Sequence, residues 1–159
     1  MKTYLFLLLL INSVVLGAEP YCQYADVPMI PDTVLAACRA PLEHPTRGII
    51  FAYDRRKLNP EPALVVTYDN GKCTYRDEVT IRFHFDTGKD MRYTGRCRGG
   101  KTASWYIPDS DTAPLAREMR RANRVTIHVE QYEFTVPLKG SAMALREAEA
   151  AAKRWFWGF

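Results

Sequence analysis

Val79, Ile81, Phe83 and Phe85 alternate with Thr80, Arg82, His84 and Asp86. A period of two places the apolar set on one face of a strand and the polar set on the other. The same alternation continues after Asp86-Thr87-Gly88-Lys89-Asp90, which reads as a turn. Met91, Tyr93 and Cys97 fall on one face of the next strand; Arg92, Thr94, Arg96 and Arg98 fall on the other. Before these, Leu64-Val65-Val66-Thr67-Tyr68 is β-branched and aromatic, and Asp69-Asn70-Gly71-Lys72 follows it. Asn-Gly is a strong hairpin signal, so Cys73-Thr74-Tyr75 is expected to begin the return strand. Gly99-Gly100 breaks the pattern, Ser104-Trp105-Tyr106-Ile107 predicts a short strand, and Pro108 ends it.

Asp109-Ser110-Asp111-Thr112 offers helix caps and Pro114 suits a first turn,. A helix is expected from Leu115 to Asn123, with Leu115, Met119 and Ala122 as its apolar stripe and Arg117, Arg120, Arg121 and Arg124 on its basic side,. Arg124 to Val129 predicts a strand, and Phe134, Val136 and Leu138 mark its partner. The inward parity changes between Val129 and Phe134, so a tight turn or bulge must fall near Glu130 to Tyr132,. After Gly140-Ser141, the positions Leu145, Ala148, Ala152 and Trp155 share one helical face,.

The region from Glu19 to Pro62 differs. It holds seven of the ten prolines. Proline fixes φ and removes a donor, so loop or extended chain is expected there. Residues Pro31 to Cys38 suggest one short helix, and Ile49-Ile50-Phe51-Ala52-Tyr53 a first strand. The domain plan is therefore residues 1–18 as a leader, 19–62 as a proline-rich segment stapled by a disulfide and packed on the domain, and 63–159 as a β-rich domain with a C-terminal helix.

Met1-Lys2, the apolar run Leu5 to Ile11, and the small residues near Gly17-Ala18 have the order of a secretory signal peptide,. Cleavage after Ala18 is the preferred reading and cleavage after Gly17 its rival. The run is shorter than the about 20 apolar residues of a membrane span, and Cys22 lies four residues beyond Ala18, away from a lipidation position. A periplasmic or secreted protein without a lipid anchor or a stable membrane span is expected. Losing residues 1–18 leaves 141 residues, with 21 basic and 18 acidic side chains. An excess of three positive charges is too small to argue for nucleic acid,. The four cysteines, Cys22, Cys38, Cys73 and Cys97, follow the leader. In an oxidising compartment they read as two disulfides with three possible connectivities, of which Cys22–Cys38 and Cys73–Cys97 is favoured. Each would contribute about 3 kcal/mol in the chain-entropy model.

Three constellations bear on chemistry. Gly95 to Thr102 has the form G-x-x-x-x-G-K-[ST], but a phosphate loop needs a helix after it and a strand is expected here,. His84-x-Asp86 and His128-x-Glu130 each share a strand face; paired in register, they would bring two imidazoles and two carboxylates together for zinc or acid–base work,. Polar strand faces carry such residues routinely. No G-x-S-x-G is present, and Ser104 and Ser110 have no nucleophile context,. Neither a cofactor nor a metal is therefore expected. Candidate partner contacts are Arg117, Arg121 and Arg124, and the aromatic Trp157 and Phe159, which stand evenly between core and interface,.

Residues Val79 to Lys153 resemble the VasI-like proteins associated with type VI secretion and the invasion-associated locus B proteins. The resemblance rests on Arg82 to Lys89, Ser104-Trp105, Asp109 to Ala113, Arg124 to Val129 and Phe134 to Gly140. Many such proteins carry a cysteine after the last helix, where this chain has Trp155 to Phe159. The resemblance implies a small periplasmic accessory or binding domain and no catalytic residues. The expected class is α+β: a mainly antiparallel sheet, sandwich or partial barrel, with one internal and one C-terminal helix. The expected function is a non-catalytic, soluble, protein-binding accessory factor of a bacterial envelope or secretion system, its partner another envelope or secreted protein. The alternative is a secreted inhibitor or immunity protein that blocks an enzyme through a loop such as Gly99 to Thr102.

Overall fold

The computed structural model describes residues 21–26, 32–41, 47–99, 102–108 and 112–156. Residues 1–20, the Gly100-Lys101 pair, the cap candidates Asp109 to Asp111 and the Trp157 to Phe159 tail lie outside the described residues. Among them, nine strands form one antiparallel sheet: β1 (Cys22–Asp26), β2 (Thr33–Arg39), β3 (Gly48–Asp54), β4 (Ala63–Tyr68), β5 (Glu78–Phe85), β6 (Asp90–Cys97), β7 (Ala103–Ile107), β8 (Arg124–Val129) and β9 (Tyr132–Pro137). Two helices join them, α1 (Ala113–Met119) between β7 and β8, and α2 (Ser141–Phe156) after β9. The order across the sheet is β1-β2-β3-β4-β7-β6-β5-β8-β9. The chain is α+β and mainly β.

The sheet curls around one core. β4 and β9 are far apart in strand order, yet the Tyr68 ring lies 4.5 Å from Tyr132 and 5.5 Å from Phe134. At the two outer strands, the Cys22 amide donates to the Lys139 carbonyl at 3.1 Å. The bend falls where β6 meets β7, which share only the pairs Arg96↔Tyr106 and Cys97↔Trp105. Gly95 precedes them because a Cβ there would come within 2.6 Å of the Ile81 side chain. The inward residues of β5, Ile81, Phe83 and Phe85, are buried as their alternation predicts. Trp105 is fully buried among them. Helix α2 packs Ala144, Leu145, Ala148, Ala151 and Ala152 against the inner faces of β1, β2 and β3. Its small residues let the helix axis come close to the sheet, and Ser141 Oγ donates to the Met119 carbonyl at 2.5 Å, tying α2 to the end of α1.

Two local expectations change. The helix expected over Pro31 to Cys38 does not form in its described part; Thr33 to Arg39 is strand β2, paired on both sides. Thr33 and Val34 favour a pleated backbone, and the Cys22–Cys38 disulfide fixes the β1–β2 register by joining directly opposed residues. The Asn70-Gly71 turn forms, with Asn70 at φ +54°, but it closes no hairpin. β4 pairs with β3 and β7, and the chain crosses to β5 on the other half of the sheet. Side-chain contacts draw it there: the Lys72 amide donates to Tyr132 Oη at 2.8 Å, and Cys73 is bonded to Cys97. The second disulfide thus joins a connecting loop to β6 rather than two strands. Both favoured pairings are present, and no described cysteine is free.

Helix α1 starts two residues before the expected position and stops at Met119. Its entry is held by Thr112, whose hydroxyl donates to the Pro62 carbonyl. Its exit is set by Asp86, which accepts from the Asn123 amide at 3.0 Å and turns the chain into β8. The parity change between β8 and β9 is a tight turn at Glu130-Gln131, with Glu130 at φ +51°.

Candidate functional site

The outward residues of β5, β6, β8 and β9 form a polar surface of two cross-strand rows. In the first, Arg92 of β6 opposes Arg82 of β5, Arg82 opposes His128 of β8, and His128 opposes Glu133 of β9. In the second, Asp90 opposes His84, His84 opposes Thr126, and Thr126 opposes Thr135. Directly opposed side chains stand about 5 Å apart at Cβ, so each row is a line of neighbouring groups. His84 Nδ1 lies 2.5 Å from Asp90 Oδ1, and His128 Nδ1 lies 3.0 Å from Glu133 Oε2. These are ion pairs when the imidazoles are protonated.

The two His-x-carboxylate motifs therefore do not make one site. His84 and His128 share the face, but each takes a carboxylate from its own neighbouring strand. Asp86 bonds the Asn123 amide and side chain instead. Burial alone would raise its pKa; the Asn123 and Arg124 amides hold it below the ordinary carboxylate value. Glu130 sits in the β8–β9 turn. Among the described residues, no group of three or more His, Cys, Asp or Glu is placed to hold a metal ion. After Gly95 to Thr102, the chain enters strand β7 and not a helix, so the phosphate-loop context is missing.

What the face does present is uncompensated positive charge. Glu78 is held by Arg96 at 2.7 Å, Asp90 by His84, and Glu133 by His128. Arg82 and Arg92 stand side by side, exposed, with no ion pair among the described residues. Beyond them the Arg98 guanidinium lies over the Tyr106 ring at 4.8 Å.

The arginines of the α1 region separate. Arg121 and Arg124 are exposed near the start of β8, whereas Arg117 faces a cleft of about 290 Å³ with Arg120. One wall is Asn59-Pro60-Glu61-Pro62, between β3 and β4; the other is Ala113, Ala116 and Arg117 of α1 together with Glu149 and Lys153 of α2. Tyr53, at the end of β3, lies at its base and is 1% exposed. Glu149 joins the cations: Arg120 Nη2 donates to its Oε2 and Lys153 Nζ to its Oε1, both at 2.6 Å. Burial would raise the Glu149 pKa, but the hydrogen bonds from Lys153 and Arg120 outweigh it and hold the carboxyl below its ordinary value. Burial pushes the Tyr53 phenol up to about 12, against the opposing pull of the nearby Arg120.

No protein-family model matches the chain, and no curated protein or solved structure matches it. In the sequence, Arg82 and Arg92 stand only as polar positions of two alternating strands. The Gly88-centred turn between those strands was the available signal, because a short hairpin there sets the register that opposes them. Tyr53 falls in a predicted strand, and nothing local in the sequence relates it to residues 120 and 149.

Proposed function

We propose that the protein is an exported, non-catalytic binding domain, an accessory factor of a bacterial envelope or secretion system that holds an acidic protein partner on the outer face of β5, β6, β8 and β9. The observation that carries this reading is the Arg82–Arg92 pair. Like charges directly opposed on a sheet destabilise it, and local rules are broken most often where function requires it. A partner carboxylate placed between the two guanidiniums would remove the repulsion and gain charge-assisted hydrogen bonds. The two disulfides and the β-rich fold fit an extracytoplasmic location, and no described helix is long and apolar enough to cross a membrane. The accessory role also draws on the resemblance to VasI-like proteins across residues 79–153.

The test is affinity capture from the native envelope with the wild type and with Arg82→Glu/Arg92→Glu. The double reversal keeps two like charges opposed, so it changes the sign of the face while preserving its internal repulsion. A secretion or envelope component retained by the wild type and lost by the variant supports the proposal. Retention of that component by both contradicts the face. Capture of a lytic or toxic enzyme in its place moves the function to an inhibitor or immunity protein.

A further inference from the structure

The outer side of the sheet changes character from one half to the other. On β5 and β6 the outward side chains are polar and exposed. On β1 to β4 the register turns Ala25, Leu35, Ala37, Ile50, Ala52 and Val65 outward. These six form a second apolar cluster that shares no residue with the main core. Leu35 is decisive. Its cross-strand neighbours are Ala25 and Ala52, and Thr33 and Ala37 flank it along its own strand. Side chains of that size cannot enclose a leucine standing up from a sheet. Yet Leu35 is only 1% exposed, Ile50 5% and Ala37 7%. Two residues beyond Ala37 on the same face, Arg39 is half-buried, and burial lowers its pKa. A second layer therefore lies over this half of the sheet, as over any strand buried on both faces. Neither described helix supplies it, since α1 and α2 bury their apolar residues in the main core on the inner side.

The cover comes from chain outside the described residues, and reach chooses among its segments. Residues 27–31 and 42–46 each return to the next strand within five residues, so they can shield strand ends but cannot cross to Val65 on β4. The three residues after Phe156 add at most about 10 Å, on the inner side, where Arg154 acts on Tyr24. The gaps at 100–101 and 109–111 are no longer than that. Residues 1–20 differ, because they are tethered at one end only. They join the sheet at Tyr21, beside Cys22 on the outermost strand β1. Leu5 to Leu16 holds ten apolar residues in twelve. As a helix, twelve residues measure about 18 Å, and β1 to β4 span three strand spacings, about 14 Å. The link from Leu16 to Tyr21 extends to about 17 Å, enough to turn the segment back from the sheet edge onto the face.

From this we infer that the outer face of β1 to β4 is the seat of the chain's own N-terminal segment, Leu5 to Leu16, which crosses the four strands and covers Leu35, Ile50 and Val65 in the uncleaved protein. The segment with the pattern of an export leader is then also a layer of the fold, and its removal leaves an apolar face on the remaining domain. This seat is distinct from the Arg82–Arg92 face and does not depend on the partner proposed for it.

The experiment uses the full chain with both disulfides formed, unsubstituted and as Leu8→Asp/Leu9→Asp, as Leu35→Asp, and with all three changes together. Thermal unfolding is measured, along with the fluorescence of a dye that brightens on exposed apolar surface. Leu8→Asp/Leu9→Asp lies outside the sheet, so it cannot disturb the domain except through this contact. It should lower the melting temperature by about 5 °C and brighten the dye. Leu35→Asp should also lower the melting temperature, and adding it to the leader variant should cost little more, because both break the same contact. Residues 19–159 should match the leader variant in dye fluorescence. An unchanged melting temperature in Leu8→Asp/Leu9→Asp would overturn the inference, as would losses that simply add. So would residues 19–159 as dim in dye as the full chain, or a full chain that aggregates while residues 19–159 stay monomeric.

Discussion

At the scale of single residues, stability is given up in identifiable places. Arg82 and Arg92 are one; Glu130, held at φ +51°, is another. A residue with a Cβ in the left-handed region costs about 1 kcal/mol that glycine avoids. Glu130→Gly should therefore raise the unfolding free energy by about 1 kcal/mol, measured by urea denaturation, with no effect on partner capture. Arg82→Glu alone should do something different. It replaces a repulsive cross-strand pair by an attractive one with Arg92, so stability should rise by about 0.5 kcal/mol while capture of the acidic partner falls. A variant that lost both stability and capture would mean that Arg82 serves the fold. Glu149 gives a pH dependence. Its folded pKa is depressed, so its contribution is present above the unfolded value of 4.5 and is lost as pH falls through the folded value,. Melting temperature measured from pH 6 down to about pH 3 should fall less steeply for Glu149→Gln than for the wild type.

At the scale of elements, the first and last pieces of the fold depend on each other. β1 lies at one edge of the sheet, joined to β2 by its ladder and by Cys22–Cys38, and covered by α2. The disulfide closes a loop of sequence separation 16, which in the chain-entropy model is worth about 3 kcal/mol,. Cys22→Ser/Cys38→Ser should lower stability by roughly that amount, and hydrogen exchange should show β1 amides losing protection before those of β5. Uniform loss across the sheet would mean that β1 does not open separately.

The elements with their own periodicity were legible from the chain. β5, β6, β8, β9 and α2 stand where alternation or a helical stripe put them, since each buries one face and leaves the other in water. β2 was not legible, because all five residues from Val34 to Cys38 are buried. A strand buried on both faces has no alternation and reads equally as a short apolar helix. The Asn70-Gly71 turn misled for another reason: local turn chemistry formed as expected, but long-range contacts of Lys72 and Cys73 decided where the chain went next. The candidate sites followed the same rule. His84 and His128 were visible on their strands, whereas their partners Asp90 and Glu133 depend on register, and the Tyr53–Arg120 pair depends on how α1 settles over β3.

At the scale of the molecule, one curled sheet is closed by α2 and fastened by two disulfides, with a charged sheet face on one half and a small cleft beside the helices on the other. The intact mass of the oxidised protein should lie about 4 Da below the fully reduced value, one pair of hydrogens for each bond,. Association with an acidic partner should weaken as salt rises, because exposed charges are screened over about 8 Å at physiological ionic strength.

The most direct measurement is the affinity of the captured envelope component for purified wild type and for Arg82→Glu/Arg92→Glu, taken at low and at physiological salt. The account predicts salt-dependent binding to the wild type that drops at least tenfold in the double reversal, with melting temperatures that agree. Equal affinity for the two proteins, or binding indifferent to salt, would contradict the role given to the Arg82–Arg92 face.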